Sequence, residues 1–168
     1  MTASSLRAIT LIGATLTMGL AAGTFALYAH TIMPGLRNTN DRTFVSAFQH
    51  IDRAIINPWF MATFFGALIL TGLAAALHLS GDKRNALPWI GAAFVLYLIA
   101  VIITMAVNVP LNDAIKAAGD PARIGDLPAV RYRFSEAKWS AWNLIRTLTS
   151  TAAFGCLIGA AMMYRTTK

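Results

Sequence analysis

Cysteine is nearly missing from this chain. Cys156 is the only one and lies inside an apolar run, which excludes an intrachain disulfide and a cysteine metal cluster and leaves it a small packing residue. Charge is scarce as well. Asp, Glu, Lys and Arg make up 12% of the 168 residues against 57% hydrophobic, with mean hydropathy +0.58. That is too few to coat the outside of a soluble helical bundle. No glycine-rich phosphate loop, nucleophile elbow or pair of intramembrane histidines occurs, which argues against nucleotide, serine-nucleophile and haem chemistry. The net charge of +7 comes without basic patches interleaved with aromatics, so no nucleic-acid partner is expected. Cations spread over several loops suit a membrane surface instead.

What is present is apolar sequence in span-sized pieces. Four runs of about twenty residues, each long enough to cross a bilayer, recur at about 8–29, 58–79, 88–109 and 140–164. The expectation is an all-α, four-transmembrane-helix bundle, a single domain over 1–168 and a multi-pass integral protein of a bacterial inner membrane. The first run follows Arg7 and carries small residues at Ala21, Ala22 and Gly23, as a signal peptide would, but it is long for such a segment and reads as a retained span. Asn57 caps the second run and Pro58 opens it, where a proline costs little. Gly81-Asp82-Lys83-Arg84-Asn85 makes a tight turn into Pro88 and the third run, so spans two and three form a hairpin. Pro110 is expected to end that span. The stretches 30–57 and 111–138 read as long loops, the second with a short helix around Arg131 to Trp139. Arg165 and Lys168 suit an interfacial anchor after Tyr164.

Gly19 with Gly23 and Gly155 with Gly159 allow close helix approach, which in lipid substitutes for the absent hydrophobic drive. Either packing within the chain or a homo-oligomer would use them. Four spans put both termini and the 80s turn on one face and both long loops on the other. Lys and Arg number five on the terminal face and eight on the loop face, with Arg146 inside a span. The counts leave orientation open; the shortness of the terminal face tilts it towards cytoplasmic termini.

Polar side chains in hydrocarbon are expensive, so their placement is informative. His30, Asn57, Asn108, Asn112, Trp139, Asn143 and Arg146 all fall at span ends on the long-loop face. Trp139, Asn143 and Arg146 are spaced by four and three and share one helical stripe. Arg146 lies about 9 Å inside the span at 1.5 Å per residue, deep enough to need a partner or a wet cavity unless it snorkels. The asparagines could equally cap or glue helices, and Trp139 and Trp142 could form an interfacial belt. His78 lies at the opposite end and reads as interfacial. His30 at the pocket mouth, or His50 near Asp52, could serve as a general base. A metal held by these histidines with Asp52 or Glu136 has no close-spaced ligand motif behind it.

Asn108-Val109-Pro110-Leu111-Asn112, followed by Trp139-Ser140-Ala141-Trp142-Asn143-Leu144-Ile145-Arg146 and preceded by Asn57-Pro58, resembles the anthrone oxygenase-like family of four-span membrane proteins. The resemblance runs over nearly the whole chain. It implies oxidation of a polycyclic anthrone to an anthraquinone, with dioxygen as co-substrate and no evident cofactor. Deprotonating the doubly activated methylene gives an anion electron-rich enough to reduce dioxygen, so neither cofactor nor metal is expected. The protein would supply a base, oxyanion donors and a dry, flat site. On that reading His30 or His50 is the base, and Asn57, Asn108, Asn112, Asn143 and Arg146 are polar contacts, with Trp139 or Trp142 stacking on the ring system. The partners expected are membrane lipid and a hydrophobic aromatic small molecule. The same residues would also suit a non-catalytic membrane module that binds such a molecule or a partner membrane protein. No inverted repeat or broken helix pair suggests a transporter.

Overall fold

The structure, a computed structural model, describes residues 2–80 and 84–163. The tip of the expected 80s turn and the proposed anchor at Tyr164, Arg165 and Lys168 lie outside them. All regular structure among the described residues is helical. Four helical segments are long and apolar enough to cross a membrane: Ala3–Arg37, Pro58–Leu77, Arg84–Ala117 and Leu127–Met163.

The first comprises α1 (Ala3–Leu27), a π-helical turn (Tyr28–Ile32) and α2 (Met33–Arg37). After α3 (Asp41–Ile55) comes α4 (Pro58–Leu77). The third segment is a 3₁₀ turn (Arg84–Ala86), α5 (Leu87–Ile103), a second π turn (Thr104–Asn108) and α6 (Val109–Ala117). Finally α7 (Leu127–Phe134) breaks at Ser135, left-handed at φ 52°, into α8 (Glu136–Met163). Around the bundle the order is α1, α4, α5, α8 and back to α1.

Small residues let these helices approach. Ala14, Ala21, Ala67, Ala74, Ala93, Ala100, Ala153 and Ala160 are fully buried and alternate with Met18, Phe64, Tyr97 and Leu157 in one core. Each glycine pair divides its work: a Cβ on Gly19 would sit 3.0 Å from Phe154, and one on Gly159 would sit 2.9 Å from Trp89, whereas Gly23 and Gly155 face open space. At the short-turn end Arg7 crosses to α4 and donates to the carbonyls of Leu77 and Ser80 at 2.7 Å each, satisfying acceptors that a helix end leaves over.

Two expectations are corrected. The stretch 30–57 is mostly helix, and so are large parts of 111–138: α2, α3, α6 and α7 make a cap on the long-loop end. Nor does Pro110 end the third segment. The Val109 amide reaches back five residues to the Thr104 carbonyl, and the Met33 amide does the same to Tyr28 just before Pro34. A π turn absorbs one extra residue, and here each comes immediately ahead of a proline that cannot join the i→i−4 ladder, so the helix continues past it. At about 50 Å the first and third segments exceed a hydrocarbon core of about 30 Å, as does α8 at about 42 Å, and the surplus carries the cap.

The cap has its own core of Met33, Phe44, Val45, Phe48, Ile115, Phe134 and Trp139. α3 is strongly amphipathic, with Phe44 and Phe48 one turn apart on its inner face. Arg131 fastens the cap: it donates to the carbonyls of Arg37 and Thr39, pairs with Asp41 at 3.0 Å and Glu136 at 3.1 Å, and lies 4.3 Å over the Phe44 ring. Gln49 ties α3 to α6 through the carbonyls of Ile115 and Gly119.

Candidate functional site

Between the bundle and the cap lies a cavity of about 240 Å³. Its walls come from both π turns and from α1, α3, α4, α6 and α8, and most are aromatic or aliphatic: Phe25, Tyr28, Phe48, Phe60, Phe64 and Trp139 among them. Tyr28 and Thr104, each the first residue of a π turn, lie on this wall, and Tyr28 continues the face of Phe25 one turn earlier.

Arg146 reaches the cavity from α8, about ten residues or 15 Å along that helix. It is 5% exposed. One terminal nitrogen donates to Thr104 Oγ1 at 3.0 Å and the other to Asn143 Oδ1 at 2.8 Å, while Nε has no partner among the described residues. The guanidinium carbon lies 4.6 Å from the Phe25 ring centroid and 5.5 Å from that of Trp139. No carboxylate pairs with it among the described residues, so the cation is held by neutral dipoles and ring faces. Its supports are themselves fixed. Thr104 Oγ1 donates to the Ala100 carbonyl at 2.7 Å, and Asn143 Nδ2 donates to the Phe25 carbonyl at 3.1 Å.

The opposite polar cluster hangs from the cap. Trp139 Nε1 donates to Asn112 Oδ1 at 2.7 Å, Asn112 Nδ2 donates to Asp52 Oδ1 at 2.6 Å, and Asp52 Oδ2 lies 2.8 Å from Lys116 Nζ. Lys116 also meets the exposed Asp113 at 3.1 Å. Asp52 is 6% exposed, and it lines the cavity together with Asn112, Asp113, Lys116 and Trp139. The chain of bonds therefore roofs an apolar cavity with a carboxylate whose second oxygen is buried against the partly exposed Lys116.

Of the residues singled out in the sequence, Arg146, Trp139 and Asn112 meet at the cavity. Asn143 stands directly behind Arg146, and Asn108, also buried, donates to the Trp139 carbonyl at 3.2 Å and braces the wall from outside. Asn57 is a helix cap: its Oδ1 accepts from the Phe60 amide at 3.0 Å. Trp142 is half-buried and does not line the cavity. The pocket-mouth position expected for His30 is corrected, because its ring is exposed and bonds Thr31 Oγ1 at 2.6 Å away from the cavity. His50 is exposed too, one turn from the Ser46 carbonyl it contacts at 2.7 Å. His78 is buried at the far end against the Ala74 carbonyl. Among the described residues no three of His, Cys, Asp and Glu converge as metal ligands.

Tyr28, Thr104 and Lys116 are polar cavity residues that the sequence did not single out, and Asp52 stood there only as a neighbour of His50 and a possible metal ligand. A signal for Asp52 existed: Phe44, Phe48 and Asp52 are spaced by four, so the acid falls on the apolar stripe of a helix that begins at the Asn40 cap.

The model of the anthrone oxygenase family matches residues 59–156, more than half of the chain. The match takes in Thr104, Asn112, Trp139 and Arg146, whereas Phe25, Tyr28 and Asp52 reach the same cavity from outside it. No curated protein and no solved structure matches the chain significantly. With four membrane-length helices and the Asn108-to-Asn112 and Trp139-to-Arg146 motifs on the wall of one cavity or directly behind it, the chain belongs to the anthrone oxygenase family.

Proposed function

We propose that this protein oxidises an anthrone-type polycyclic substrate with dioxygen in the cavity beneath the cap. One observation carries the reading: a buried guanidinium, unpaired with any described carboxylate, faces an apolar aromatic cavity. Such a cation is costly unless something anionic is to be held there. An enolate oxygen at the end of a flat ring system supplies that charge where the dielectric is low and donors act most strongly.

Asp52 is the base. Its carboxylate takes a proton from the methylene between the rings, and Arg146 holds the oxygen on which the negative charge collects. The anion donates electrons to dioxygen and a C–O bond forms; the resulting peroxide takes a proton back. Loss of the second methylene proton then expels hydroxide as the O–O bond breaks, and proton and hydroxide leave as water. Anthrone and dioxygen thus give anthraquinone and one water. Aromatic walls keep the ring system flat and limit water, which would otherwise solvate the anion.

The test is dioxygen uptake and quinone absorbance by purified protein in lipid nanodiscs with a hydroxylated anthrone such as emodin anthrone. Asp52→Asn should lower turnover by about 10²–10⁴-fold while the fold is retained. No acceleration over spontaneous oxidation across a panel of anthrones would overturn the reading.

A further inference from the structure

The deep part of the cavity is walled by buried side chains, and its most exposed apolar lining lies towards α4 and the second π turn. Phe25, Tyr28, Phe48, Asp52, Trp139 and Arg146 are each buried. The lining residues that are themselves open to the outside are Ile56 at 60%, Met105 at 55% and Phe65 at 43%, with Asp113 at the rim nearest the cap. Phe65 lies on α4 and Met105 on the second π turn. Of the four seams in the bundle, the one between α4 and α5 is the least closely packed. It is pinned below the cavity, where Tyr97 Oη donates to the Phe64 carbonyl at 3.0 Å and the Phe94 ring fits over Gly72. Above that pin the extra residue of the π turn takes the third segment out of α-helical register. The roof is sealed differently, by Trp139, Asn112, Asp52 and Lys116 in series.

We infer that the cavity is loaded sideways from the bilayer, through the slot between α4 and the Thr104–Asn108 turn guarded by Phe65 and Met105, by a planar lipophilic molecule carrying an acidic oxygen. The choice of ligand class rests on the function proposed above; the route does not. A flat polycycle partitions into the acyl region, where the slot's apolar rim costs it no desolvation. Its acidic oxygen then travels towards Arg146. Loading from water would instead require the bonded roof to part and polar groups to lose their partners. Met105 is suited to guard such a slot, since an unbranched thioether side chain adapts its shape readily.

Route and chemistry can be tested apart. In a Cys156→Ser background, Met61→Cys places a thiol on the cavity wall, and Val95→Cys places one on the lipid-facing surface away from it. In liposomes an apolar pyrenyl maleimide should label both, whereas a charged thiosulfonate added to either side should leave Met61→Cys unlabelled. Adding Met105→Trp should slow maleimide labelling of Met61→Cys by about tenfold and leave Val95→Cys unchanged. Faster labelling of Met61→Cys by the charged reagent, or indifference to Met105→Trp, would overturn sideways loading. Turnover plays no part in this readout, so an inactive protein with the expected labelling would defeat the oxygenase reading and leave the route standing.

Discussion

Arg146→Met separates a residue kept for binding from one kept for folding. The guanidinium makes two hydrogen bonds, to Thr104 and Asn143, and lies over the Phe25 ring. Charged hydrogen bonds contribute about 1.5–3 kcal/mol each and a desolvated cation–π contact about 2 kcal/mol, for a gross loss of about 5–8 kcal/mol. Against this stands the cost of burying a cation with no carboxylate beside it, several kcal/mol, which methionine removes while filling similar space. The two largely cancel. The stability of Arg146→Met should therefore fall within about 2 kcal/mol of the parent, with Asn143 Oδ1 left short of a partner as the main penalty. Affinity for an ionisable hydroxyanthraquinone should drop about 10²–10³-fold, because a charged donor is lost from a low-dielectric site. Arg146→Lys should fall between the two, keeping the charge but losing the planar fork that reaches Thr104 and Asn143 together. Thermal unfolding by circular dichroism and quinone titration in nanodiscs measure both quantities on one preparation. A variant that unfolds readily yet binds the quinone as the parent does would refute the reasoning and make Arg146 a structural residue.

Other perturbations follow from the packing. Gly159→Leu should destabilise the bundle by about 1–3 kcal/mol, because its Cβ would meet Trp89 at 2.9 Å, while Gly155→Leu should be neutral within about 0.5 kcal/mol. A change of oligomeric state in Gly155→Leu, read by crosslinking in membranes, would instead mark that open glycine as an interface between chains. Arg131→Met should loosen the cap by about 2 kcal/mol, discounted because the ion pairs with Asp41 and Glu136 are partly solvated. Limited proteolysis should then cut within 118–126 sooner than in the parent, and unchanged resistance would mean that the apolar cap core holds without the latch.

Some of this was readable along the chain, and the reason is local. Hydropathy sums over a window, so the four spans declare themselves wherever they end up in space. The stripe of Trp139, Asn143 and Arg146 follows from helical spacing alone, and all three are buried on one face of α8. The family could be recognised because its motifs are contiguous. The helix within 30–57 reads as a loop because the charged outer face of α3 outweighs the short apolar stripe of Phe44, Val45 and Phe48 on its inner face.

What the residues could not declare singly is which of them meet. Asp52 reaches Asn112 across sixty residues, and Trp139 reaches the same asparagine across twenty-seven, and neither distance has a periodicity. His30 and His50 carry suitable chemistry at suitable ends, but a π turn and a helix face turn them outward. The sequence by itself determined four spans and a polar end with an arginine set inside the last span, because membrane insertion answers to each segment's own composition. Only the tertiary structure decided that a carboxylate from the cap, and not a histidine, faces the cavity that this arginine lines. Helix rotation and cap docking depend on long-range packing that no local pattern encodes.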